Sequence, residues 1–308
     1  YLNCRNRAWR QLGAALGLCT AARLAFGASA FAGLGEHRNA LHLTGARAAA
    51  AAGGAASGVQ APATDRAYLE DTHLFQLDGC ELLDVADQPM DVPEGTVRLS
   101  VVLDRTIFHP QGGGQPTDTG ILSARGLPDL LVSFVGVQKG NGVIVHECVA
   151  EPAIAAQWVE SVGKAQVTCR VDKDRRLLHA RLHSAGHLLD AAVRAAGIEG
   201  WVPAKGYHFE DGPYVEYVLD AESKARAQAE KASIVSALQS EAQRLIDTGG
   251  AVSCRTGTDG MRHIQIAGEE CPCGGTHVKA VSQLERVEVK KIKFKKNTAR
   301  VSYVLGNA

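Results

Sequence analysis

The sequence lacks several features that mark specialised classes of protein. None of its apolar runs reaches eighteen uncharged residues, which argues against a membrane-spanning helix. Eight cysteines in 308 residues are too few for a disulfide-stapled secreted domain, so a reducing compartment is expected. Charge of either sign is not in excess, since 33 basic residues balance 33 acidic ones. A nucleic-acid partner would therefore need a local basic patch.

Residues 1–64 differ in composition from the rest of the chain. They hold six arginines, no lysine and one acid, Glu36, and they end in an Ala- and Gly-rich run. So few large apolar side chains predict a disordered or transit segment outside the folded domains. The arginine bias favours import into a mitochondrion or plastid. There are two alternatives: a disordered extension without a targeting role on a cytoplasmic protein, and a secretory signal with the apolar stretch Leu12–Ala22.

The remaining chain changes its periodicity once, which predicts two domains. Over residues 65–166, short β-type runs such as Leu130–Val137 alternate with turns, and this pattern predicts a small β-barrel. The apolar period then becomes helical from Leu177 to Val193, and a further long helix is predicted at about Ala221–Thr248. With strand-like segments between and after these helices, residues 167–308 are predicted to form an α+β domain.

Two pairs of candidate metal ligands occur in the second domain. His183 and His187 are spaced i, i+4 in a predicted helix, so both imidazoles project from one face. Further along the chain, Cys273 and His277 flank a Gly-Gly turn that lets the backbone fold tightly around an ion. Imidazole and thiolate donors suit Zn²⁺, which predicts one zinc ion per chain. Ligand count alone favours a closed structural zinc, because catalytic zinc usually keeps one position open.

Cys271 stands two positions before Cys273. A C-x-C spacing directs the two side chains differently, which makes joint chelation less natural than in C-x-x-C. One thiol of the pair is therefore expected to be the metal ligand.

A glycine-rich segment lies in the predicted barrel. Gly112, Gly113 and Gly114 are followed by Gln115 rather than by a helical pattern, so the segment does not match a phosphate-binding nucleotide loop. Three consecutive glycines predict a close approach of the backbone to a neighbouring domain or to a ligand. A tight connection within the barrel is the equally weighted alternative.

A basic stripe lies near the C-terminus. Lys291, Lys293 and Lys295 alternate with apolar residues, which predicts a strand with one basic and one apolar face. Such a face could hold phosphates, or it could protect an edge strand from aggregation, and the sequence does not separate these interpretations.

Four motifs, in this order, resemble the editing domain of alanyl-tRNA synthetase and, more closely, the free-standing alanyl-tRNA editing proteins of the AlaX type. They are Thr106–Gly120, His183-Ser-Ala-Gly-His187, Lys205-Gly-Tyr-His-Phe209, and Arg262–Ile266 leading into Cys273-Gly-Gly-Thr-His277. Ala204 stands where the synthetase pattern has Gln, which favours the free-standing type.

The resemblance implies a fold, an activity and a ligand set. The fold would be an N-terminal β-barrel joined to an α+β zinc-binding editing domain. The activity would be zinc-dependent trans-editing: hydrolysis of mischarged tRNA(Ala), chiefly Ser-tRNA(Ala) and in some members Gly-tRNA(Ala). The implied zinc ligands are His183, His187, Cys273 and His277.

Other candidate contacts with the substrate or its tRNA are weaker predictions. They are Gly112, Gly113, Gly114, Gln115, Lys205, Tyr207, Thr276, Lys291, Lys293 and Lys295. No general base is indicated, and neither a membrane nor an obligate protein partner is expected. Two alternatives remain: a fragment of alanyl-tRNA synthetase carrying its editing domain, and a non-catalytic, zinc-stapled RNA-binding module.

Overall fold

The computed structural model describes residues 62–88, 92–258 and 260–306. Its α-helices in these ranges are α1 Pro152–Glu160, α2 Lys173–Ala195, α3 Ala221–Ala229 and α4 Lys231–Thr248. Its strands in the same ranges are β1 Asp65–Arg66, β2 Gln76–Gln88, β3 Val97–Leu103, β4 Arg105–Thr106, β5 Gly120–Ala124, β6 Leu130–Val137, β7 Ile144–Ala150, β8 Gln166–Val171, β9 Val202–Tyr207, β10 Tyr214–Val218, β11 Ser253–Thr256, β12 Arg262–Ile266, β13 Glu269–Pro272, β14 Val287–Lys295 and β15 Thr298–Leu305.

Six strands of the first half close into a barrel in the order β2-β3-β7-β6-β5-β8. Alternating residues fill its interior; Leu99 and Val101 of β3, for example, are fully buried. Helix α1 packs on the same core through Trp158, whose indole N–H donates to the carbonyl oxygen of Pro128 at 2.9 Å. The small barrel predicted from the short β-type runs is confirmed.

The last barrel strand lies beyond the predicted domain boundary. Strand β8 pairs with both β2 and β5, so it completes the barrel, whereas the boundary between residues 166 and 167 falls at its start. Asp172 follows the strand directly, and its carboxylate caps helix α2 by accepting from the amide of Arg175 at 3.1 Å. No loop of distinctive composition separates strand from helix, which is why the sequence pattern misplaced the change.

The second half is α+β, as its periodicity predicts. Strands β14-β15-β10-β9 form an antiparallel sheet, and β11-β12-β13 form a smaller one. The four-stranded sheet buries Val215 and Val301 in one core with Leu189 of α2 and Leu238 of α4. This core fixes α2 against the sheet.

The long helix predicted at Ala221–Thr248 is divided in two. Glu230 has φ −102 and ψ 18 and separates α3 from α4. Helix α3 buries only Ser223 and Ala227, whereas α4 buries the longer stripe that includes Leu238. Both segments contribute to the same core, through Ala227 of α3 and Leu238 of α4, and helical period alone does not reveal the break between them.

A buried ion pair joins the barrel to helix α2. The guanidinium of Arg176 donates through Nε to both carboxylate oxygens of Asp118, at 3.1 and 3.0 Å, and both side chains are fully buried. Arg176 also donates to the carbonyl oxygen of Thr72 at 2.9 Å, and Asp118 accepts from the amide of His109 at 2.6 Å. Because both charged groups have several hydrogen-bond partners, this pair holds the barrel and helix α2 in one orientation. Removing either residue would leave the other as an unpaired buried charge.

The predicted transit segment, residues 1–64, lies outside the described residues except for its last three. Thr64 belongs to the folded part, since it is buried and its hydroxyl oxygen accepts from the amide of Ile144 at 2.9 Å. Among the described helices, none is long and apolar enough to cross a membrane.

Candidate metal centre

Helix α2 presents the first ligand pair. His183 and His187 lie one turn apart, both are buried, and their rings stack with centroids 5.1 Å apart. Gly186 makes room beside them, because a Cβ there would lie 2.3 Å from the ring of His208. The helix is therefore shaped to bring several imidazoles together.

The loop after β13 presents the second pair. Cys273 Sγ lies 3.5 Å from His183 Nε2 and 3.3 Å from His277 Nε2. One donor atom from each of His183, His187, Cys273 and His277 lies within 4.8 Å of the others. The two pairs predicted from spacing therefore converge on one point.

Gly275 and Arg262 shape this loop. A Cβ at position 275 would lie 2.2 Å from the ring of His183, so only glycine fits. The guanidinium of Arg262 donates to the carbonyl oxygens of Cys273 at 2.7 Å and Gly275 at 3.0 Å, and through Nε to that of Leu69 at 2.8 Å. The loop is thus tied to the chain that leads into the barrel.

Each imidazole has a partner near Nδ1. His183 Nδ1 lies 2.8 Å from Gln115 Oε1, and His277 Nδ1 lies 3.2 Å from Ser184 Oγ. His187 Nδ1 lies 3.4 Å from Cys271 Sγ. Hydrogen bonds at one ring nitrogen fix the ring and leave the other nitrogen to bind a metal.

Gln115 determines the tautomer of His183. Its Oε1 also accepts from the amide of Thr276 at 3.0 Å, while its Nε2 donates to the Thr276 hydroxyl at 2.8 Å. With Oε1 acting as the acceptor, His183 Nδ1 carries the proton and Nε2 carries the lone pair. Gln115 and Thr276 are both fully buried, which places them behind the ligands rather than on the surface.

The glycine-rich loop packs against the end of β9. A Cβ at Gly114, where φ is +85, would lie 2.4 Å from the carbonyl oxygen of Gly206. The amide of His208 donates to the carbonyl oxygen of Gly114 at 2.8 Å. Of the alternatives left by the sequence, close approach to a neighbouring part of the chain applies to Gly114. Gly112 and Gly113 are exposed.

Burial determines the protonation of the donors. It lowers the pKa of His187 to about 3 and those of His183 and His277 well below their usual range; neighbouring imidazoles add to the effect at the latter two. Burial also raises the pKa of the Cys273 thiol. The imidazoles are thus neutral at physiological pH, the form that binds metal, whereas the thiol must lose its proton when an ion binds.

The donor set fits a metal ion. Three neutral imidazoles and one thiol, from helix α2 and the loop after β13, match the ligand types and number of a tetrahedral zinc site. The hydrogen bonds at Nδ1 supply the outer partners that such ligands usually have. These residues could hold a metal ion, and their chemistry favours Zn²⁺ among the common divalent ions.

His208 is a site residue that the sequence analysis did not single out. Its buried ring stacks on His183 at a centroid distance of 4.5 Å, and its Nδ1 lies 2.7 Å from the hydroxyl oxygen of Tyr303. That hydroxyl donates to the carbonyl oxygen of Leu182 at 2.8 Å. Strand alternation after Lys205 offered a signal, since Gly206 and His208 share the inward face.

The remaining candidate contacts lie on the four-stranded sheet. Lys205 is exposed and Tyr207 half-buried on one edge strand, β9. Lys291, Lys293 and Lys295 are exposed on the other edge strand, β14. This position agrees with both interpretations of the stripe, because edge lysines discourage strand pairing and also attract phosphates.

Several archaeal alanine–tRNA ligases are similar to this chain in sequence. The enzyme of Methanothrix thermoacetophila is 29% identical over 245 residues, which cover 72% of this chain and 25% of the relative. That of Pyrobaculum aerophilum is 31% identical over 215 residues, or 62% of this chain and 22% of the relative. The enzyme of Pyrococcus abyssi is 42% identical over 102 residues, which cover 33% of this chain and 10% of the relative.

No protein-family model matches the chain. The chain spans at most about a quarter of the length of these curated relatives. Similarity over 72% and 62% of the chain in two of these relatives nevertheless confirms the resemblance predicted from the four motifs. The chain is therefore related to the alanine–tRNA ligases and corresponds in extent to a part of that enzyme.

Proposed function

We propose that this protein is a zinc-dependent trans-editing hydrolase that removes serine from mischarged tRNA(Ala). One observation carries the proposal: His183, His187, Cys273 and His277 converge within 4.8 Å in a chain related to alanine–tRNA ligases. The free-standing AlaX type is supported by Ala204, which stands where the synthetase pattern has Gln.

Amino-acid size explains why such a site is needed. A pocket for alanine admits the smaller glycine, and it rejects a side chain with one extra hydroxyl by only about 10²-fold. A second site that offers polar partners to the serine hydroxyl would leave those partners unpaired with alanine. Alanine would then be released without hydrolysis.

The residues around the candidate metal ligands hold those ligands in position. Gln115 fixes His183, Ser184 lies beside His277, and the guanidinium of Arg262 holds the loop of Cys273. When bound, zinc supplies Lewis-acid polarisation and lowers the pKa of water. The buried walls formed by His208 and Thr276 keep bulk water away from the centre.

Hydrolysis of aminoacyl-tRNA tests the proposal. The full chain with bound zinc should deacylate Ser-tRNA(Ala) and spare Ala-tRNA(Ala), and the Cys273→Ala variant should lose both zinc and activity. Cys254→Ser, at an exposed cysteine on β11, is the matched control; the serine hydroxyl can still accept from Arg262 as the thiol does at 3.1 Å, so this variant should retain both.

Two outcomes would contradict the proposal. Zinc binding without any ester hydrolysis would favour the non-catalytic RNA-binding module. Equal hydrolysis of Ser-tRNA(Ala) and Ala-tRNA(Ala) would exclude an editing role. Gly-tRNA(Ala), assayed in parallel, decides whether glycine is also a substrate.

A further inference from the structure

The four-stranded sheet has one buried and one exposed face. Along β15, Ala299 and Val301 are fully buried, whereas the intervening Arg300 and the following Ser302 are partly exposed. The buried face packs in the core with α2 and α4. The opposite face is open to solvent along all four strands.

Strand register aligns two rows of residues across this exposed face. The first row consists of Lys293, Arg300, Glu216 and Lys205. The second row consists of Lys291, Ser302, Tyr214 and Tyr207. In the first row, the carboxylate of Glu216 is paired with the guanidinium of Arg300 at 3.1 Å. The rows are therefore basic, although residues 65–308 as a whole contain 27 basic and 32 acidic residues.

An aromatic column stands on the same face. The rings of Tyr207 and Phe209 are stacked at 4.4 Å with an interplanar angle of 13°, and those of Tyr207 and Tyr214 at 5.2 Å with 14°. The guanidinium of Arg300 lies over the ring of Tyr214 at 3.9 Å. All four side chains are half-exposed. The Tyr207 hydroxyl, in the middle of the column, donates to Asp211 at 3.0 Å.

A partly exposed aromatic column beside cations matches the chemistry of an RNA strand. Unpaired bases stack on aromatic and guanidinium planes, and lysines along the path hold phosphates. Paired RNA keeps its bases stacked on each other and would use only the lysines. The combination of both features therefore favours a single-stranded segment.

The column is continuous with the metal centre along the chain. His208 stands between Tyr207 and Phe209, and its buried ring stacks on His183 at 4.5 Å. Because successive side chains alternate, one short segment serves both the metal centre and the exposed face. RNA held on this face is thereby coupled to the segment that lines the site.

We infer that the face formed by Lys205, Tyr207, Tyr214, Arg300, Lys291 and Lys293 binds an unpaired segment of RNA. A base stacks on Phe209, the ring at the end of the aromatic column, while the lysines hold the phosphates. This inference rests on the proposed function, since it assigns a docking surface to the proposed tRNA substrate.

Binding measurements on the full chain test the inference separately from hydrolysis. Affinity is measured by fluorescence anisotropy for uncharged tRNA(Ala), a short labelled single-stranded RNA and a blunt-ended, fully paired RNA duplex. Tyr207→Leu and Tyr214→Leu remove rings that support Phe209, so each should weaken binding of the single strand by about tenfold and leave binding of the duplex unchanged. Tyr207→Phe keeps the ring and should bind as the parent does.

Phe75→Leu is the matched control, because Phe75 is also half-exposed beneath a cation, Lys173, but belongs to the barrel side. Full affinity in both leucine variants at Tyr207 and Tyr214 would overturn the inference, as would an equal loss in Phe75→Leu. Zinc content and melting temperature, measured on each variant, show whether the fold is intact. RNA binding without hydrolysis would refute only the proposed activity, and hydrolysis with unaffected tyrosine variants would refute only this surface.

Discussion

Gln115 Oε1 lies 2.8 Å from His183 Nδ1, although 68 positions separate the two residues. Loss of this bond removes the group that orients a ligand. Gln115→Leu should therefore weaken zinc binding by about 10- to 100-fold. Competition against a chelator of known affinity measures the change.

Gln111 provides the control for this prediction, since it lies in the same loop but is exposed. Gln111→Leu should bind zinc as the parent does. Unchanged zinc affinity in Gln115→Leu would show that the hydrogen bond does not position His183.

Two adjacent glycines provide a paired test of the loop. A Cβ at Gly275 would lie 2.2 Å from the ring of His183, whereas a Cβ at Gly274 would have nothing within 4 Å. Gly275→Ala should displace the ring or the loop and reduce bound zinc, while Gly274→Ala should keep it. Elemental analysis of both variants measures the difference, and full zinc in Gly275→Ala would contradict the observed packing.

The two neighbouring thiols should respond differently to substitution. Cys273 Sγ lies near Nε2 of two imidazoles, whereas Cys271 Sγ lies near Nδ1 of His187. Cys273→Ala should abolish zinc retention. Cys271→Ser retains a hydrogen-bonding group and should keep zinc and most activity. Full zinc in Cys273→Ala would remove that residue from the ligand set.

The lysine stripe should contribute affinity rather than selectivity, because phosphate contacts position RNA without reading the amino acid. Replacing Lys291, Lys293 and Lys295 by Gln should weaken tRNA binding. The slope of log K against log[salt] should become shallower by about 0.7 to 0.9 per lost phosphate contact. The preference for seryl over alanyl ester should persist.

Replacement of exposed lysines elsewhere, at Lys139, Lys164 and Lys231, is the charge-matched control. An unchanged salt slope in the β14 variant would assign that stripe to protection of an edge strand.

Residues before Pro62 should be dispensable for chemistry. A chain that begins at Pro62 should fold, bind zinc and hydrolyse Ser-tRNA(Ala) as the full chain does. A chain that begins at Arg66 also loses Thr64, whose hydroxyl accepts from Ile144, and an unsatisfied buried amide costs about 1–3 kcal/mol of stability. Thermal melts compare the two, and equal melting would remove Thr64 from the barrel's stabilising contacts.

We further propose that residues 1–64 direct the protein to a mitochondrion or plastid, on the basis of their arginine bias and shortage of acids. A fluorescent reporter fused to this segment should enter one of these organelles. A reporter that remains in the cytosol would favour a cytoplasmic protein, and a secreted one would contradict a tRNA substrate.

The sequence by itself determined the local features. Spacing placed His183 and His187 on one helix face because an α-helix repeats every 3.6 residues, and strand alternation exposed Lys291 and Lys293 while burying Ile292. Short β-type runs identified the barrel, although β8 escaped because no loop separates it from α2. These properties depend on residues that are close together in the chain, so they can be derived from the amino-acid sequence alone.

Only the tertiary structure decided which distant residues meet. The approach of Gly114 to Gly206 brings Gln115 to His183, and the stack of Tyr207 on Tyr214 needs the register of β9 with β10. Such contacts depend on how the barrel packs against α2 and on how the strands align. Apolar burial and register are properties of the whole fold, so no local pattern specifies them.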